Sequence, residues 1–358
     1  MKKEEVETLY EKLKTWMKNY NSKHKQGLKL GNILGYGGFG FVVEVIYKGK
    51  YLAGKVIKKE KNDETDLITE FKGPNIISTT KIFNIDFKND NDDSQIEKYH
   101  FILMEYALTD LFNLNKDLYE NNKLKLIITP PFEGEVSDNL IRFFAYEIIK
   151  GLESLDRQNY FHFDIKPDNF LIVKGLIPKL SDFSLLRSPN KLEKKDGKVK
   201  IPGGTPGFCT PEYYQENYVS SEVAKAQDYF AFGATLFTLK YGSYMIPGKK
   251  YEGNEITANF LIDLIQRAID LIQSKKLSDK DFNDFLINLI KYKPEERFNF
   301  EEIYRNKWLN KNLHVISRCY KINYYDEEKL FIELNKSDFL NEKKNKLKKN
   351  RKKFVLKI

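Results

Sequence analysis

Residues 35–42 read GYGGFGFV, with glycines at Gly35, Gly37 and Gly40. Glycine-rich turns are common, and a dinucleotide-binding fingerprint has the same spacing. That fingerprint opens a helix and is followed about 20 residues later by an acidic residue. Here apolar runs typical of strands lie on both sides of the turn, and the next landmark is Lys55 in LAGKVI. The stretch therefore predicts a glycine-rich hairpin whose N–H groups can approach phosphates, with a lysine on the following strand to neutralise them.

Short apolar runs rich in β-branched and aromatic residues surround this hairpin. They are FVVEVIY at 41–47, YLAGKVI at 51–57, KIFNIDF at 81–87 and HFILMEYA at 100–107. Such runs, separated by glycine or charged turns, are typical of antiparallel strands. The polar stretch KNDNDDSQIEK, residues 88–98, is predicted to be the hairpin loop between the last two strands.

Helical periodicity dominates beyond Asp110. It is clearest in SDNLIRFFAYEIIKGLESL, residues 137–155, where Ser137 or Asp138 can cap the helix. KLEKKDGKVK, residues 191–200, is the most loop-like interior stretch. The sequence therefore predicts an α+β fold with a small antiparallel β-lobe followed by a larger helical lobe.

An amphipathic helix is predicted before the β-lobe. Its apolar residues recur at steps of three and four: Val6, Leu9, Tyr10, Leu13, Trp16, Met17 and Tyr20. The following NSKHKQG, residues 21–27, is expected to end the helix. Packing of this helix on its own domain is the favoured interpretation, and a helix that binds a partner is the alternative.

Composition limits the class of protein. The chain has 358 residues, 41% of them hydrophobic, which is enough for two lobes with cores. It contains no run of about 18 apolar residues, and its start lacks the apolar core of a signal peptide, so an intracellular protein without a membrane span is expected. Two cysteines and four histidines leave neither a disulfide framework nor a structural zinc site, so any metal should have oxygen ligands.

The net charge of +9 is concentrated at the C-terminal end. Residues 341–358 contain eight lysines, one arginine and one glutamate, so this basic tail carries +8 and the rest of the chain is nearly neutral. A solvated, mobile terminus is the favoured interpretation. The alternative is that the tail docks on an acidic protein surface, RNA or a nuclear import receptor. Among these partners, an acidic protein surface is preferred over nucleic acid.

FHFDIKPDNFLI, residues 161–172, places a carboxylate, an ammonium and an amide within six positions of one another, at Asp164, Lys166 and Asn169. Apolar residues that look like strand ends flank them. Taken alone, KPDN is equally good material for a solvated turn. Both interpretations stay open until the other motifs are considered together.

Five motifs together resemble the eukaryotic protein kinases in order and approximate spacing. They are the glycine-rich stretch through Val42, Ala53-x-Lys55, HFDIKPDN, SDFS at 181–184, and GTPGFCTPE at 204–212. The resemblance covers about residues 28–309 and implies a two-lobed kinase fold. It divides the chain into an N-terminal helix (1–26), a kinase domain (27–310, with N-lobe and hinge 27–106 and C-lobe 107–310), and a C-terminal extension with the basic tail (311–358).

The resemblance implies roles for the polar residues. Asp164 would accept or orient the proton of the substrate hydroxyl, and Lys166 would steady the moving γ-phosphoryl group of ATP. Asn169 and Asp182 would hold Mg²⁺, although Asp182 taken alone would be read as a turn residue at a strand end. Fixed positive charge and positioning would then supply most of the catalysis.

Lys55 is expected to pair with a glutamate on the next helix. The family spacing, counted back from GPNIIS, gives Glu64, with Glu70 as the other candidate and Glu60 close to the strand. Glu64 follows Lys55 by only nine positions, which requires a shortened connection. An exposed Glu64 is the alternative.

The nucleotide-binding residues are assigned from the register of the motifs. The carbonyl of Glu105 and the N–H of Ala107, after the gatekeeper Met104, would meet the adenine edge, and Asp110 would take the ribose hydroxyls. The other expected nucleotide contacts are Leu34, Gly35, Gly37, Gly40, Val42, Ala53, Lys55 and Leu171. Among them, Leu34, Val42, Ala53 and Leu171 would sandwich the faces of the adenine, although these four apolar residues would be core in any fold.

GTPGFCTPE resembles the end of an activation segment. Thr205 is expected near the catalytic loop, and Glu212 is expected to pair with Arg297. Asp228 would secure the backbone of the catalytic loop. Lys166 together with Gly204-Thr205 favours serine or threonine over tyrosine as the acceptor.

Two family positions are changed. Phe163 replaces the usual arginine before Asp164, so control through an activation-segment phosphate should be weaker. Ser184 replaces the last glycine of the DFG motif, where it restricts φ and is expected to disfavour an inverted, inactive arrangement.

Three functional classes follow from these features. The first is an active serine/threonine kinase that uses ATP and Mg²⁺ on protein substrates, in the cytoplasm or nucleus. The second is a pseudokinase that binds ATP or partners with little turnover, and the third is a scaffolding or nucleic-acid-associated protein that uses its tail. Retention of Lys55, Asp164, Asn169 and Asp182 favours the first class.

Overall fold

The computed structural model describes residues 1–24, 27–37, 40–59, 71–88, 95–120, 138–242, 244–245, 257–274 and 279–311. These residues form two compact units. The small unit comprises Met1–Gly73 and Ile77–Ala107, and the large unit comprises Pro74–Ile76 and the described residues from Leu108 onward.

A five-stranded antiparallel sheet forms the centre of the small unit. Its strand order is β1-β2-β3-β5-β4. The strands are β1 (Lys29–Gly37), β2 (Gly40–Tyr47), β3 (Lys50–Lys58), β4 (Thr79–Lys88) and β5 (Ile96–Glu105). Each predicted strand is therefore present. The expected loop 88–98 is shorter than predicted, because β4 continues to Lys88 and β5 begins at Ile96; residues 89–94 lie outside the described residues.

The two faces of this sheet carry different side chains, because successive residues of a strand point to opposite faces. Val43, Val45 and Phe101 are fully buried on one face. Val42 pairs with Lys55, and Ala53 pairs with Met104, on the other face. Cross-strand partners share a face, so four predicted nucleotide contacts lie together on the face opposite the apolar cluster.

Helix α1 (Lys3–His24) covers the apolar face. Val6, Leu9 and Leu13 are buried in the same cluster as Phe101 and its neighbours. Trp16 stacks on Tyr20 and meets Phe83 and Phe101 edge-on; the ring centroids of Trp16 and Phe83 are 5.3 Å apart. The interpretation that the helix packs on its own domain is confirmed. It also extends past the predicted break, to His24.

The large unit is mainly helical. Its helices are α2 (Leu111–Glu120), α3 (Asp138–Arg157), α4 (Pro211–Gln215), α5 (Ser221–Tyr241), α6 (Ala258–Ser274), α7 (Lys280–Ile290), α8 (Phe300–Tyr304) and α9 (Lys307–Asn310). Helix α3 matches the predicted helix at 137–155 and begins at Asp138, while Ser137 lies outside the described residues.

Helix α5 forms the core of the large unit, with every residue from Gln227 to Lys240 buried. Ser220 caps its start by accepting a hydrogen bond from the N–H of Val223, and Gly242 ends it with φ of 68°. A Cβ on Gly233 would lie 2.7 Å from Leu289 and Ile290 side-chain atoms, so α5 and α7 pack closely because this residue is glycine.

Short strands in the large unit position the candidate catalytic residues. Strands β6 (Thr109–Asp110), β7 (Phe170–Val173) and β8 (Ile177–Leu180) form a three-stranded sheet. A 3₁₀ turn, Pro167–Asn169, leads into β7, and a second 3₁₀ turn, Phe183–Leu185, follows β8.

The α+β, two-lobed fold class predicted from the sequence is confirmed.

The expectation of a loop at 191–200 is wrong. Strands β9 (Lys194–Lys195) and β10 (Lys198–Val199) form a hairpin there. Asp196 and Gly197 form its turn, with φ of 50° and 76°. Two positive φ values are what a type I′ hairpin turn requires, and Asp-Gly is a preferred sequence for it.

No helix in the described part of the chain has the length and apolar character needed to cross a membrane.

Candidate active site

The backbone at residues 162–163 is held by a buried carboxylate. Asp228 on α5 accepts hydrogen bonds from the N–H groups of His162 (2.7 Å) and Phe163 (2.8 Å). Phe163 has φ of 64°, a conformation that is costly for a bulky residue. Burial raises the pKa of Asp228 to about 7, although the two N–H groups favour its charged form. The expected role of Asp228 in securing this loop agrees with the geometry.

Asp164 lies at the centre of a dense hydrogen-bond network. Lys166 Nζ donates to Asp164 Oδ2 at 2.7 Å, and Asn169 Nδ2 donates to the same oxygen at 2.9 Å and to the Asp164 carbonyl at 2.7 Å. Thr205 donates to Oδ1 through both its N–H (3.1 Å) and its hydroxyl (2.5 Å). The two carboxylate oxygens therefore accept four hydrogen bonds, which is about their full capacity.

The same network controls the charge of Asp164. Burial alone would raise its pKa, but the hydrogen bonds from Lys166 and Thr205 outweigh burial and hold the pKa below the ordinary value. Asp164 is therefore an oriented carboxylate near neutral pH. Lys166 Nζ also donates to the Thr205 hydroxyl at 2.6 Å, so three residues from two segments form one cluster.

The second acidic residue, Asp182, is connected to this cluster through Ser181, Asn169 and His162. The Ser181 N–H and hydroxyl each donate to the Asn169 carbonyl at 2.9 Å, and Ser181 directly precedes Asp182. The fully buried His162 ring lies between Ser181 O and the N–H of Asp164, at 3.1 and 3.3 Å. Burial lowers the pKa of His162, so the ring is neutral and Nε2 is the donor to Ser181.

Two residues with oxygen-bearing side chains thus lie at adjacent 3₁₀ turns. Asn169 uses its amide nitrogen on Asp164, which leaves its side-chain oxygen for another partner. Asp182 begins the second 3₁₀ turn in a left-handed conformation, with φ of 59°. Within the described residues no group of three or more His, Cys, Asp or Glu side chains could hold a metal by itself. Mg²⁺ commonly takes only one or two carboxylates and completes its shell with phosphates and water, so this pair fits that ion.

The small unit contains the glycine-rich hairpin and the lysine of the following strand. Gly40 is the most tightly packed of the described glycines: a Cβ there would lie 1.9 Å from the carbonyl of Val56, so no other residue fits against β3. A Cβ on Gly35 or Gly37 would meet nothing within 4 Å, so these backbone segments are open to a ligand. Leu34 is half-buried in β1, and Met104 and Glu105 end β5 with Ala107 two residues beyond.

Asp110 has a structural function that the sequence analysis did not anticipate. Its carboxylate accepts from the N–H (2.8 Å) and the side-chain amide (2.6 Å) of Asn113, which caps the start of α2. The predicted ribose contact would have to share this carboxylate. Leu171 on β7 is its strand partner and is half-buried.

Two further pairs brace the large unit. Arg297 and Glu212 form a buried bidentate ion pair, with NH2 to Oε2 at 2.9 Å, and Arg297 also donates to the carbonyls of Lys291 and Tyr292. The predicted Glu212–Arg297 pair is therefore present. Thr210, where the family usually has alanine, donates its hydroxyl to Gln227 at 2.8 Å.

Sequence reasoning missed four residues whose hydrogen bonds hold the site together: Gln227, Ser181, His162 and Asn75. Asn75 donates to Glu147 (2.8 Å) and to the carbonyl of Pro178 (3.0 Å), and so ties β8 to α3. His162, Ser181 and Asn75 stand inside the quoted motifs, but their hydrogen-bond partners are far away in the chain, so the motifs did not show these contacts. The unusual Thr210 was the one available signal, because a buried hydroxyl needs a partner. Glu64, with the alternatives Glu60 and Glu70, lies outside the described residues.

Comparison with known proteins agrees with this geometry. The protein kinase domain family model matches residues 28–309. An Aurora kinase of Saccharomyces cerevisiae is 26% identical over 307 residues, covering 82% of this chain and 72% of the relative. The smooth-muscle myosin light chain kinase of Gallus gallus is 28% identical over 78% of this chain but only 13% of that protein.

The serine/threonine-protein kinase par-4 of Caenorhabditis briggsae is 26% identical over 72% of this chain and 39% of its own length. These similarities extend across both units, and they agree with the five motifs on which the sequence prediction depends. The chain therefore belongs to the eukaryotic protein kinase family, of the serine/threonine type that its motifs predicted.

Proposed function

We propose that this chain transfers the γ-phosphoryl group of ATP, with Mg²⁺, to serine and threonine hydroxyls of protein substrates. The observation that carries the proposal is the Asp164 carboxylate, held by Lys166, Asn169 and Thr205. An oriented, ionised carboxylate can accept or orient the proton of a substrate hydroxyl, and a lysine beside it can stabilise the transferred phosphoryl group.

In the reaction, the substrate hydroxyl oxygen forms a bond to the γ-phosphorus, and the bond from that phosphorus to the bridging oxygen of ADP breaks. The hydroxyl proton goes to Asp164, which accepts or orients it. Because the pKa of Asp164 is held low, it acts mainly by orienting the hydroxyl and takes the proton late. Positioning is therefore the larger share of its contribution.

Lys166 would change partner during this step. Its ammonium bonds both Asp164 and Thr205, and all four acceptor positions of the Asp164 carboxylate are engaged. A substrate hydroxyl can bond Asp164 only if one of these donors moves aside. Lys166 is the natural one to move, since it is a flexible point charge attracted to phosphoryl oxygens. The same lysine would then stabilise the charge that spreads over the transferred group.

The metal would be held by the side-chain oxygens of Asn169 and Asp182, which lie at adjacent 3₁₀ turns. Mg²⁺ in this position neutralises phosphate charge. Ser181 fixes the Asn169 carbonyl through two hydrogen bonds and so keeps the two ligand-bearing turns together. The donor set suits a hard cation and no soft metal.

The nucleotide contacts proposed for the small unit follow from one sheet face. Lys55 would meet the phosphates, while Val42, Ala53 and Met104 on the same face would contact the base. Gly35, Gly37 and Gly40 would bring backbone N–H groups to the phosphates. The roles of Leu34, Glu105, Ala107, Asp110 and Leu171 remain predictions from the family register.

Serine and threonine are the proposed acceptors because Lys166 and Gly204-Thr205 resemble the serine/threonine kinases at two points where tyrosine kinases generally have other residues. Thr205 lies beside Asp164 and Lys166. Its hydroxyl accepts from Lys166 and donates to Asp164, so it closes the network next to the reacting position. The pseudokinase alternative is not favoured, because Lys55, Asp164, Asn169 and Asp182 are all retained.

The proposal is tested with the full chain, Mg-ATP and a peptide library that contains serine, threonine or tyrosine as the acceptor. Lys55→Met and Asp182→Asn should each abolish transfer while circular dichroism shows a folded protein. Label should appear on serine or threonine peptides. Equal transfer by the wild type and both variants, or transfer to tyrosine alone, would overturn the assignment.

The basic tail and the cellular location stay predictions. Residues 341–358 lie outside the described residues, so the acidic partner proposed for them rests on charge alone. Cytoplasm and nucleus are equally consistent with the protein substrates of a kinase.

A further inference from the structure

Phe161 and Phe163 lie in a buried apolar cluster that also contains part of the segment between Asp182 and Glu212. We call this segment the activation segment. The members of the cluster, which we call the phenylalanine anchor, are Phe161, Phe163, Leu192, Val199, Ile201, Val219 and Ala224. The anchor therefore joins the loop that carries Asp164, the activation segment and the start of α5 in one core.

Phe163 is committed to this core by its backbone and its ring. Its N–H is bonded to Asp228, its φ is 64°, and its side chain is 1% exposed. The ring meets Phe161 edge-on, with centroids 5.6 Å apart. A side chain held in an uncommon backbone conformation and fully buried cannot swing out to solvent without disturbing the loop.

The activation segment supplies three apolar side chains to the anchor. Leu192 lies just before the β9–β10 hairpin, Val199 ends it, and Ile201 follows it. All three are buried although the residues on either side of each are exposed. Val199 also exchanges two backbone hydrogen bonds with Val219, at 2.8 and 2.9 Å. The hairpin is thus attached to the large unit by both side chains and backbone.

A second backbone attachment lies closer to the start of the segment. Phe161 and Arg187 exchange two backbone hydrogen bonds of 2.9 Å. The Arg187 guanidinium donates to the carbonyls of Ser184 (3.1 Å) and Leu186 (2.8 Å). This cation is therefore occupied by the segment's own backbone.

The anchor is connected to Asp164 through a close backbone contact. A Cβ on Gly204 would lie 3.0 Å from the carbonyl of Phe163 and 2.6 Å from Sγ of Cys209, so the segment crosses directly over Phe163 at a residue that must be glycine. The next residue, Thr205, donates twice to Asp164. Phe163 therefore fixes the position of Gly204, and through Gly204 the position of Thr205, which bonds the Asp164 carboxylate.

We propose that the phenylalanine anchor holds the activation segment in its substrate-binding arrangement without any phosphate on the segment, and that Phe163 is a positioning residue for Thr205. This inference rests on the proposed kinase function. Burial of the apolar anchor holds the activation segment in place, as an arginine bound to a phosphate on the segment would do. Apolar burial needs no modifying enzyme.

The test uses the full chain after phosphatase treatment, with its phosphate-free state verified by mass spectrometry. Amide hydrogen exchange is followed in residues 192–201, which contain the bonded N–H groups of Val199 and Lys200. The variants are Phe163→Ala, the conservative Phe163→Leu, and Val199→Ser on the segment side. Phe282→Ala is the matched control, since Phe282 is fully buried but packs against Trp308 on α9, away from the anchor.

The phosphate-free wild type should protect residues 192–201. Phe163→Ala and Val199→Ser should each speed exchange there by about tenfold or more, as expected for loss of a local cooperative unit. Phe163→Leu and Phe282→Ala should keep the protection. In kinetic assays Phe163→Ala should raise the peptide KM and leave the ATP KM close to that of the wild type. If Phe163→Ala does not fold, Val199→Ser gives the same comparison.

Two results would overturn the inference. One is a segment that exchanges freely in the phosphate-free wild type and becomes protected only after phosphorylation. The other is unchanged protection in both Phe163→Ala and Val199→Ser. The exchange experiment needs no turnover, so protection as expected without any phosphoryl transfer would support the anchor and refute the proposed function.

Discussion

Thr205 and Asp164 lie 41 residues apart in the chain and are joined by two hydrogen bonds, of 3.1 Å from the Thr205 N–H and 2.5 Å from its hydroxyl. Lys166 bonds both residues. Together with Lys166, the activation segment therefore helps to hold the proposed catalytic carboxylate charged and oriented.

Replacing Thr205 with valine should move the acidic limb of the pH–rate profile to higher pH. The hydroxyl stabilises the charged form of Asp164, so its loss raises the pKa of that carboxyl. Asp164 is active as a carboxylate, so protonation at a higher pH reduces activity sooner as the pH falls. We also expect kcat/KM to drop by about tenfold at neutral pH, the equivalent of one charged hydrogen bond.

Thr205→Ser is the matched control, because it keeps the hydroxyl and removes only a methyl group. It should retain a profile close to that of the wild type. Identical acidic limbs for wild type and Thr205→Val, measured as initial peptide phosphorylation rates across pH, would show that this hydrogen bond does not control Asp164.

Breaking the Arg297–Glu212 pair should strongly destabilise the large unit. Both side chains are almost completely buried, so Arg297→Met leaves a buried carboxylate without its partner. The loss in unfolding free energy should be about 3–5 kcal/mol. Urea denaturation followed by fluorescence measures it.

The exposed pair of Glu301, on α8, and Arg305, directly after α8, provides the comparison. Arg305→Met should change stability by less than about 1 kcal/mol, as exposed ion pairs contribute little. If Arg297→Met costs no more than Arg305→Met, the buried pair is not a brace.

Helix α1 should be an integral part of the small unit. Leu13 is completely buried against the sheet, so Leu13→Ala should reduce the unfolding free energy by about 2–5 kcal/mol through lost apolar contact and the cavity left behind. Lys18→Ala on the exposed side of the same helix should stay within about 0.5 kcal/mol of the wild type. Similar stabilities of the two variants in thermal unfolding would mean that α1 contributes little.

The basic tail is expected to affect location and partners more than chemistry. Deleting residues 341–358 removes a net charge of +8. Peptide kinetics should stay within about twofold, while binding to an acidic partner such as polyglutamate should weaken and lose its dependence on salt, because screening acts over about 8 Å at physiological ionic strength. A folded truncated protein that no longer phosphorylates a small peptide would place the tail in the catalytic machinery.

Local patterns predicted the fold well because each depends on neighbouring residues. The alternation in FVVEVIY fixes which side chains of β2 are buried, and the three- and four-residue steps of α1 fix its apolar face. The family register also predicted the long-range pair of Glu212 and Arg297, which no local pattern could have shown. Strand and helix ends were less accurate: α1 continues through polar residues to His24, where helical hydrogen bonds outweigh composition.

The missed features depend on tertiary context. The β9–β10 hairpin was overlooked because its lysines hide the signal, although Asp196-Gly197 is a hairpin-turn sequence. Val199 is buried because it packs against the other residues of the anchor, which are distant in the sequence. Asp110 was assigned to ribose by register, and its capping bonds to Asn113 became visible only with α2 in place.

Phosphoryl transfer by the intact chain tests the central claim most directly. Purified wild type and Asp164→Asn, both shown to be folded by circular dichroism, are incubated with Mg²⁺, radiolabelled ATP and a degenerate serine/threonine peptide array. The wild type should label peptides, and Asp164→Asn should be slower by about a hundredfold or more, the usual contribution of a positioned catalytic base. Equal labelling by the two proteins, or none by the folded wild type, would contradict the assignment of Asp164 and the proposed reaction.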